Sequence, residues 1–569
     1  MALCRIPPGR AARACGLALV LGVAAGARAA ETLYNGIVLP AEWPPALREL
    51  DREAPDPPPY LARPPAVIPI DVGRQLFVDD FLVESTTLAR RFHRPTPHAG
   101  NPVLRPDRAW EKAGAPDANA MPFSDGVWYD PRERRFKMWY LATAPAGTVA
   151  AQPEGGLVTG YATSRDGIRW EKPALDVVPG TNIVQPQPRD SGLVWLDREA
   201  ADPARRHVML RVARAPENNY WSAQVHFSAD GIHWSDAAAS SGGLPWLGDR
   251  SSLFYNPFRR VWVYSLRNSI RHDPALVGVR ARHYLEQRDV AAGLAEWARR
   301  PWVGADRLDP RHPRFPGFTP QLYNLDAVAY ESLLLGLFSV LEGPENEDSA
   351  RLKIHKRNEI LVGYSRDGYH WSRPDRRPFI GVDERDGAWN WGNVQSAGGG
   401  CLVVGDRLYF YYSGRRWDSG PGRGEGSTGL AFLRRDGFAS MDAVAADGAL
   451  TTRPVMFGGA HLFVNVAPAG GELRVEVLGP DGRPLPGFAA ADCRPVRRDG
   501  TREPVRWRGA RDLSSLRGQP VRFRFHLSGG GLYAFWVSAD RGGASGGYVA
   551  AGGPDLPGAR DLPPARRRP

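Results

Sequence analysis

The sequence feature that most constrains the fold is the motif Ser-x-Asp-Gly-x-x-Trp, which follows an extended stretch of small and aromatic residues. It occurs at residues 160–170 (GYATSRDGIRW), 225–234 (VHFSADGIHW) and 362–371 (VGYSRDGYHW). Two weaker copies lie at residues 282–297, where an insertion separates the aspartate from the tryptophan, and 429–438, which lacks the tryptophan. Five copies with aspartates 59 to 78 residues apart indicate a repeat architecture.

Each copy has the chemistry of a β-hairpin. The aspartate can bond its own backbone, the glycine supplies a positive φ, and the tryptophan holds the returning strand. A second strand–turn–strand pattern precedes the hairpin, most clearly at residues 126–140, 252–265 and 401–414. Two hairpins per unit give four strands, and a four-stranded unit repeated radially is a propeller blade. We therefore predict an all-β chain with a five-bladed β-propeller over residues 71–444.

The fourth unit contains the most apolar stretch, LDAVAYESLLLGLFSVLEG at residues 325–343. A helix is the alternative to two strands buried on both faces. The Asp-Gly hairpin about twenty residues later favours strands.

The repeat stops near residue 445. Alternating patterns separated by Gly-Gly and Asp-Gly turns predict a small antiparallel β-sandwich over residues 445–540. Residues 541–569 are rich in Gly, Pro and Arg and are expected to be disordered. Residues 30–70 are proline-rich and predict an extended segment on the surface of the fold.

Residues 1–29 have the pattern of a secretory signal peptide. Three arginines precede an apolar run at residues 15–26, and Ala-Arg-Ala at 27–29 is a cleavage pattern. The run is shorter than the roughly 20 residues that a membrane-spanning helix needs. The sequence therefore predicts an exported protein, periplasmic or extracellular, with no membrane span.

Composition argues against several other classes. The formal net charge is +11, and removal of the signal peptide takes away four arginines and no acid, which leaves +7. No basic run is interleaved with aromatic residues, so we predict no nucleic-acid partner. Of the four cysteines, only Cys401 and Cys493 lie outside the signal peptide, and no Cys/His spacing is typical of zinc. We expect no metal and no cofactor, and the oligomeric state stays open.

Several motifs together resemble the five-bladed propeller glycosidases. These are NPVL at residues 101–104, MWY at 138–140, the SRDGIRW-type hairpins, the signal peptide and the terminal sandwich. The likeness covers residues 70–540 and is to the invertase, levansucrase and arabinanase-like enzymes of glycoside hydrolase families 32, 43 and 68. It is nearest to uncharacterised bacterial secreted proteins with a domain like the amino-terminal domain of family 32. The resemblance implies hydrolysis of a poly- or oligosaccharide by paired carboxylates.

The sequence also departs from these families. The invertase-type Asn-Asp-Pro-Asn-Gly, Arg-Asp-Pro and Glu-Cys motifs are absent, so no catalytic residue carries over by motif. The hairpin is similar to the sialidase Asp-box, which is structural in sialidases. We therefore interpret Asp166, Asp230 and Asp367 as turn formers.

Five carboxylates are candidates for catalysis if the starts of the innermost strands meet at one mouth of the propeller. By analogy with blade-one acids, Asp125 is the proposed nucleophile or base. Glu342 is the proposed general acid, because an apolar strand end can raise its pKa. Asp326 and Asp249 would bind substrate or stabilise the transition state, and Glu331 is the rival acid. Glycoside hydrolysis needs two such groups.

Each candidate has a structural alternative. Asp125 precedes Gly126 and can form a turn, and Asp249 can pair with Arg250. Glu342 can belong to a surface loop, and Glu331 can be structural. We predict these substrate-binding residues: Arg250, Arg267, Asn324, Trp391, Asn393, Gln395 and Arg415.

Arginines, Arg271 included, cluster where the mouth is expected, and their planar forks suit carboxylate or sulfate groups. An acidic glycan therefore stays open, with the general abundance of arginine as the alternative explanation. Trp391 can stack on a sugar or pack within its blade.

The leading prediction is a secreted glycosidase. A carbohydrate-binding protein that lost catalysis is the second, and a lyase or phosphorylase on the same scaffold is the third. Convergence of at least two carboxylates at the mouth separates the first from the second, since fold alone does not decide function.

Overall fold

The computed structural model describes residues 30–563, except for gaps at 46–49, 51–52, 54, 113–114, 116, 270–277, 293, 295–299, 354–355, 386, 417–423 and 445–446. The predicted signal peptide and Arg271 lie outside the described residues. The predicted all-β class is confirmed, because strands account for nearly all regular structure. No helix among the described residues is long and apolar enough to cross a membrane.

The complete Ser-x-Asp-Gly motifs form the predicted turns. In the first copy, Ser164 Oγ accepts a hydrogen bond from Gly167 N at 2.8 Å, and Gly167 has a φ of +74°. Asp166 Oδ1 accepts from the two backbone N–H groups that follow the glycine, each at 2.8 Å. The copies at residues 228–233 and 365–370 repeat these bonds. The motif aspartates are therefore turn formers, as predicted.

The strands and helices follow the chain in four groups. Before residue 100 the elements are α1 (Pro59–Ala62), β1 (Ile68–Pro69), β2 (Gln75–Leu76), β3 (Val83–Thr86), β4 (Ala89–Phe92) and β5 (Thr96–Pro97). From residue 100 to 310 the strands are β6 (Ala120–Met121), β7 (Val127–Asp130), β8 (Arg135–Ala144), β9 (Gly156–Ser164), β10 (Trp170–Glu171), β11 (Ile183–Gln185), β12 (Ser191–Leu196), β13 (His207–Arg214), β14 (Trp221–Ser228), β15 (Ala239–Ser240), β16 (Ser252–Asn256), β17 (Val261–Ser269), β18 (Arg280–Gln287) and β19 (Pro301–Val303).

From residue 320 to 435 the elements are β20 (Gln321–Glu331), β21 (Leu333–Gly343), α2 (Asn346–Leu352), β22 (Arg357–Ser365), β23 (Asn393–Ser396), β24 (Leu402–Val404), β25 (Arg407–Arg415) and β26 (Gly426–Arg434). The remaining strands are β27 (Ala439–Asp442), β28 (Gly448–Thr452), β29 (Val455–Met456), β30 (His461–Ala467), β31 (Glu472–Leu478), β32 (Gly500–Pro504), β33 (Arg522–Ser528), β34 (Gly531–Ser538) and β35 (Tyr548–Val549). Within the described ranges, 3-10 turns lie at Ala109–Glu111, Pro203–Arg205 and Ser514–Leu516.

The strands from β6 to β26 form successive antiparallel groups connected by hairpins. Strands β6 to β11 make one sheet, β12 to β15 a second and β16 to β19 a third. Strands β20 to β22 and β23 to β26 belong to one larger sheet, joined where Asn358 of β22 pairs with Asn393 of β23. The apolar run at residues 325–343 forms β20 and β21, which are buried along almost their whole length. The strand prediction is confirmed there.

A second group of strands packs around its own hydrophobic core. One sheet has the order β32-β30-β34-β27-β4, with β2 beside β34, and another has the order β3-β28-β33-β31. The two sheets meet through Phe525 of β33 and Phe535 of β34, whose ring centroids are 5.2 Å apart. Strand β33 alternates buried and half-buried residues, as expected of a strand with one face in a core.

The amino-terminal segment differs from its prediction in two ways. Strands β2, β3 and β4 pair with strands beyond residue 438, although they were assigned to the region 71–444. Leu33, Ile37 and Tyr60 are buried in the second core, although residues 30–70 were expected on the surface. Local sequence patterns do not reveal such distant pairing, which explains both differences.

The carboxy-terminal prediction is wrong for residues 541–563, which are ordered. Strand β35 pairs with the end of β20, and Val549, Ala550 and Ala551 are buried. Ala551 N donates to Cys401 O at 3.0 Å, and Ala551 O accepts from Tyr129 N at 3.0 Å. The segment is ordered because its backbone groups have partners on several sheets, which composition alone does not show.

Candidate active site

A cavity of about 360 Å³ lies near the starts of β6, β12, β20 and β23. Its wall combines carboxylates, amides, cations and aromatic rings from four of the strand groups. The lining residues are Asp117, Asn119, Phe123, Leu141, Thr143, Leu157, Asp190, Tyr323, Asn346, Lys356, Gly392, Asn393, Gln395, Arg415 and Arg416. A pocket of this size and mixed polarity is typical of a small-molecule site.

Two carboxylates sit on neighbouring strand starts, and one of them, Asp190, lines the cavity. Asp190 directly precedes β12 and lines the cavity, and Asp249 lies just before β16. The strand starts are held together by Ser191, whose Oγ donates to Asp249 O at 2.5 Å. Burial, together with the charge of Asp249, raises the pKa of Asp190 to about 6. Among the described residues, no group makes a hydrogen bond or ion pair with the Asp190 carboxyl.

Asp249 has different contacts from Asp190. Its Oδ1 lies 3.0 Å from Nη1 of Arg267, and its side chain is 25% exposed. Neighbouring acids in unlike environments are a common arrangement for acid and base roles.

A buried arginine lies behind the cavity wall, against the lining residue Phe123. The Arg250 guanidinium lies 3.3 Å from the centroid of the Phe123 ring. Its nitrogens donate to Phe123 O and to Ser124 Oγ, both at 3.0 Å. Arg250 is 1% exposed, and the part of the chain that the structure describes places no carboxylate within ion-pair distance of it.

Asp326 lies in a hydrogen-bonded network next to Arg250. Its Oδ2 accepts from Ser124 Oγ at 2.9 Å, from Asn324 Nδ2 at 2.9 Å and from Ser396 Oγ at 2.5 Å. Burial raises the pKa of Asp326. Ser124 adopts a φ of +68°, an uncommon conformation for serine, and the network holds it there. Asp326 thus joins the first, fourth and fifth strand groups below the cavity.

The predicted site residues fall into three positions. Asn393, Gln395 and Arg415 line the cavity. Arg250, Asn324 and Asp326 do not line it and form a buried network with Ser124. Asp249 and Arg267 also lie outside the lining and form an ion pair. Trp391 is partly exposed and is not part of the lining.

Asp125 does not line the cavity. It is 1% exposed, and its two carboxylate oxygens bond to Arg189, with Oδ2 3.0 Å from Nη2. Its carbonyl accepts from Val194 N at 2.5 Å, and Gly126 follows with a φ of +121°. Burial raises the pKa of Asp125 despite the adjacent guanidinium. These contacts are those of a residue that joins two strand groups.

Glu342 is also buried away from the cavity lining. It is 1% exposed, and its Oε2 lies 2.9 Å from Nε of Arg357. Burial and the neighbouring Glu359 raise the pKa of Glu342 to about 9. The expected rise in pKa is present, but its cause is an acid pair under Arg357 rather than an apolar strand end at the cavity.

Glu331 lies in a separate charge cluster at the other end of β20. It is fully buried, and Arg435 Nη2 lies 3.1 Å from its Oε1. Ser545 Oγ donates to its Oε2 at 2.7 Å, and Arg74 N donates to the same oxygen at 3.1 Å. Burial raises the pKa of Glu331. The structure therefore does not bring Glu331 to the cavity.

Sequence reasoning missed several lining residues, of which Asp190 is the most informative. Asp190-Ser191 opens β12 in the same way that Asp249 and Ser251 precede β16. Alignment of the second unit by the start of its inner strand would have found it. Tyr323 and Lys356 carry no comparable signal, because only the folded chain places them at the cavity.

No protein-family model matches the chain, and no curated protein matches it in sequence. Solved structures are similar to it at low identity. An N-acetylgalactosamine deacetylase from F. plautii, solved with blood group B trisaccharide, is 13% identical, and the match covers 63% of this chain and 96% of that chain, with a TM-score of 0.40. A β-1,2-mannobiose phosphorylase from Listeria innocua is 12% identical, covers 60% and 96%, and has a TM-score of 0.40. A glycosyl hydrolase from Bacteroides ovatus is 13% identical, covers 64% and 97%, and has a TM-score of 0.35. Similarity at this level does not determine the reaction or the substrate of this chain.

Proposed function

We propose that the chain is a secreted glycoside hydrolase whose active site is the cavity lined by Asp190. The proposal has three parts: a five-bladed propeller formed by strands β6 to β26, a sandwich formed by the second group of strands, and catalysis by the pair of Asp190 and Asp249. Its export rests on the signal-peptide pattern of residues 1–29.

Contacts between inner strands support a closed ring of five blades. Each strand group bonds to the next, and the fifth bonds to the first. The contacts are, in order, Val194 N to Asp125 O at 2.5 Å, Ser191 Oγ to Asp249 O at 2.5 Å, Ser252 Oγ to Leu325 O at 2.8 Å, Ser396 Oγ to Asp326 Oδ2 at 2.5 Å, and Val127 N to Gly398 O at 3.2 Å.

The motif turns support the same ring. Trp139 of β8 donates to Gly231 O in the turn of the second group at 2.7 Å. Tyr411 of β25 donates to Gly167 O, which connects the fifth group to the turn of the first. These two turn carbonyls thus accept a hydrogen bond from an aromatic residue of a neighbouring strand group, which supports a closed ring.

The observation that carries the catalytic proposal is that two neighbouring carboxyls differ in their contacts, since Asp249 pairs with Arg267 and Asp190 has no bonded partner among the described residues. Asp190, with a pKa of about 6 and no bonded partner among the described residues, can protonate the leaving glycosidic oxygen. Asp249, paired with Arg267, is available as a carboxylate to act as nucleophile or to activate water. The roles first predicted for Glu342 and Asp125 therefore pass to Asp190 and Asp249.

The rest of the cavity suits a sugar. Asn119, Asn393 and Gln395 offer amide donors and acceptors for hydroxyl groups, and Phe123 and Tyr323 offer ring faces. Gln395 Oε1 is buried without a hydrogen-bond partner among the described residues, so it is free to accept from a ligand. The proposed substrate is a poly- or oligosaccharide that places one sugar ring in the cavity.

The test is product release from a panel of neutral and acidic polysaccharides by the mature chain, with Asp190→Asn measured beside it. We expect at least one glycan to be cleaved and Asp190→Asn to lose most of that activity, whereas Asp236→Asn, at an exposed acid outside the cavity, keeps it. Equal activity of Asp190→Asn and the wild type would contradict the catalytic assignment. Binding of a glycan without any cleavage would support the alternative of a non-catalytic carbohydrate-binding propeller.

A further inference from the structure

We propose that the cavity binds a negatively charged sugar, through the carboxylate of a uronic acid residue held between Arg415 and Lys356. This inference deepens the proposed function, because it names the substrate class of the same site. It rests on the distribution of cations whose charge no acid of the described chain offsets.

Most arginines near the site have an acidic partner. Arg189 pairs with Asp125, Arg267 with Asp249, Arg280 with Glu345, and Arg357 with Glu342 and Glu359. These pairs show that the fold ordinarily neutralises its buried arginines.

Four cations are exceptions to that rule: two line the cavity, and two are buried behind its wall, where they bond to the carbonyls of Phe123 and Tyr323. Arg250, Arg282, Lys356 and Arg415 have no carboxylate within ion-pair distance among the described residues. Arg250 and Arg282 are fully buried, and Arg282 bonds only to neutral groups, such as Ser265 Oγ at 2.8 Å and Arg250 O at 2.6 Å. A buried cation without an anionic partner is costly, and a bound anion reduces that cost.

Arg415 is the cation best placed to contact a ligand. It ends β25 opposite Asn393 of β23, and its guanidinium carbon lies 5.3 Å from the centroid of the Phe123 ring. Its Nε is buried and has no hydrogen-bond partner in the described part of the chain. Because the side chain lines the cavity, the guanidinium can present a planar pair of donors to a ligand carboxylate.

Lys356 supplies the second positive charge on this wall. Its Nζ donates to Asn346 Oδ1 at 3.1 Å and lies 5.6 Å from the centroid of the Tyr323 ring. Burial and the nearby Arg280 lower the pKa of Lys356 to about 8, so the ammonium stays mostly charged at neutral pH. A ligand carboxylate at this wall would contact the planar guanidinium of Arg415 on one side and the ammonium of Lys356 on the other.

Competing acids do not fill this position. Asp117 lines the cavity but lies 3.0 Å from Lys112 Nζ. Asp326 does not line the cavity, and its Oδ2 accepts from three neutral donors. Asp190 faces the same space without bonding to Arg415, although the two are close enough for their charges to interact. The carboxylate of a charged sugar therefore fits in the space between Arg415 and Lys356.

The test is isothermal titration of the full mature chain with galacturonate and glucuronate, beside galactose, glucose and inorganic phosphate. We expect a uronate to bind at least about tenfold more tightly than the matching neutral sugar, the difference that a charge-assisted bidentate contact supplies. Arg415→Gln should remove that preference, and Arg415→Lys should restore part of it. Arg407→Gln, at an exposed arginine on the same strand, should leave it unchanged.

The outcomes separate this inference from the proposed function. Equal binding of uronate and neutral sugar, or cleavage of a neutral glycan at full rate by Arg415→Gln, would overturn the inference and leave hydrolysis standing. Arg415-dependent uronate binding without cleavage of any acidic glycan would uphold the inference and count against hydrolysis. Binding of inorganic phosphate in place of uronate, lost in Arg415→Gln, would overturn the uronate assignment in favour of a phosphate site. A thermal melt of each variant checks that it is folded.

Discussion

Asp190 is the residue whose protonation governs the proposed reaction. Its pKa of about 6 means that the acid form is the majority species below pH 6 and declines about tenfold per pH unit well above it. We therefore expect kcat/KM on a cleaved glycan to fall as pH rises above about 6. A pH–rate profile of the wild-type chain measures this limb. A profile that is flat to pH 8 would contradict the role of Asp190 as general acid.

The same pKa predicts an effect of Asp190 on stability. The folded-state pKa is raised above the unfolded value, so ionisation destabilises the folded chain as pH rises from about 4 to 6, and the penalty is fully present above 6. Asp190→Asn removes the charge and should stabilise the chain at pH 7 by on the order of 2 kcal/mol, with no gain at pH 3.5. Urea unfolding of both proteins at the two pH values tests the sign, and equal stability at pH 7 would contradict it.

The sequence predicted some of the residues that line the candidate site, but it did not show which acids are buried away from the cavity. Asn393, Gln395 and Arg415 follow from their place at the start of the fifth unit, and they line the cavity. Glu342 was predicted as an acid with a raised pKa, which it has, but a sequence does not distinguish a cavity wall from an interior that is closed by Arg357. Asp190 was missed because the second unit was not aligned by its inner strand.

At the scale of elements, turns formed by neighbouring residues could be predicted from the sequence, whereas pairing between strands far apart in the sequence could not. The hairpins were predictable because Ser, Asp and Gly within four residues form every bond of the turn. The pairing of β4 with β27, which joins Ala89–Phe92 to Ala439–Asp442, was not predictable, because neither sequence specifies its partner. Short strands of two to four residues carry too little pattern for such an assignment.

Two buried glutamates at opposite ends of the β20–β21 hairpin should respond differently to substitution. Glu331 ends β20 and contacts Arg74 and Arg435. These arginines also pair with Asp436 and Asp561, so Glu331→Gln removes one of the three acids in a buried cluster with two cations. We expect a loss of about 3 kcal/mol in the free energy of unfolding. Glu342 lies next to Glu359, and its raised pKa of about 9 keeps its carboxyl protonated at pH 7. Glu342→Gln therefore replaces one neutral group by another.

Chemical denaturation of the two variants at pH 7 measures this contrast. Glu342→Gln should lose less than about 1 kcal/mol and should keep the activity of the wild type, since it does not line the cavity. Comparable losses in both variants would show that Glu342 is ionised, contrary to the account.

At the scale of the whole molecule, β20 runs from the candidate active-site cavity to the carboxy-terminal segment. Its first residues lie at the cavity, where Tyr323 forms part of the wall, and its last residues pair with the carboxy-terminal strand β35. Eleven residues of strand span about 35 Å, so the two ends are well separated. The carboxy-terminal segment therefore acts on stability rather than on the chemistry.

Removal of residues 541–569 tests that separation. The deletion takes away β35, the buried Ala551 and the Ser545 contact to Glu331. We expect a lower midpoint of thermal unfolding, by about 5 °C or more, because several buried backbone groups of the inner strands lose their partners. A matched deletion of residues 564–569 is the control. An unchanged midpoint in the longer deletion would contradict the structural role of this segment.

The most direct test of the central claim, that Asp190 protonates the leaving oxygen, compares two leaving groups on one sugar. Wild-type chain and Asp190→Asn would be assayed on an unactivated glycan and on an aryl glycoside of the same sugar, whose leaving group needs no proton. The account predicts that Asp190→Asn loses about 10²- to 10⁴-fold in kcat/KM on the unactivated glycan and far less on the aryl glycoside. Equal losses on both substrates, or no loss on either, would contradict it.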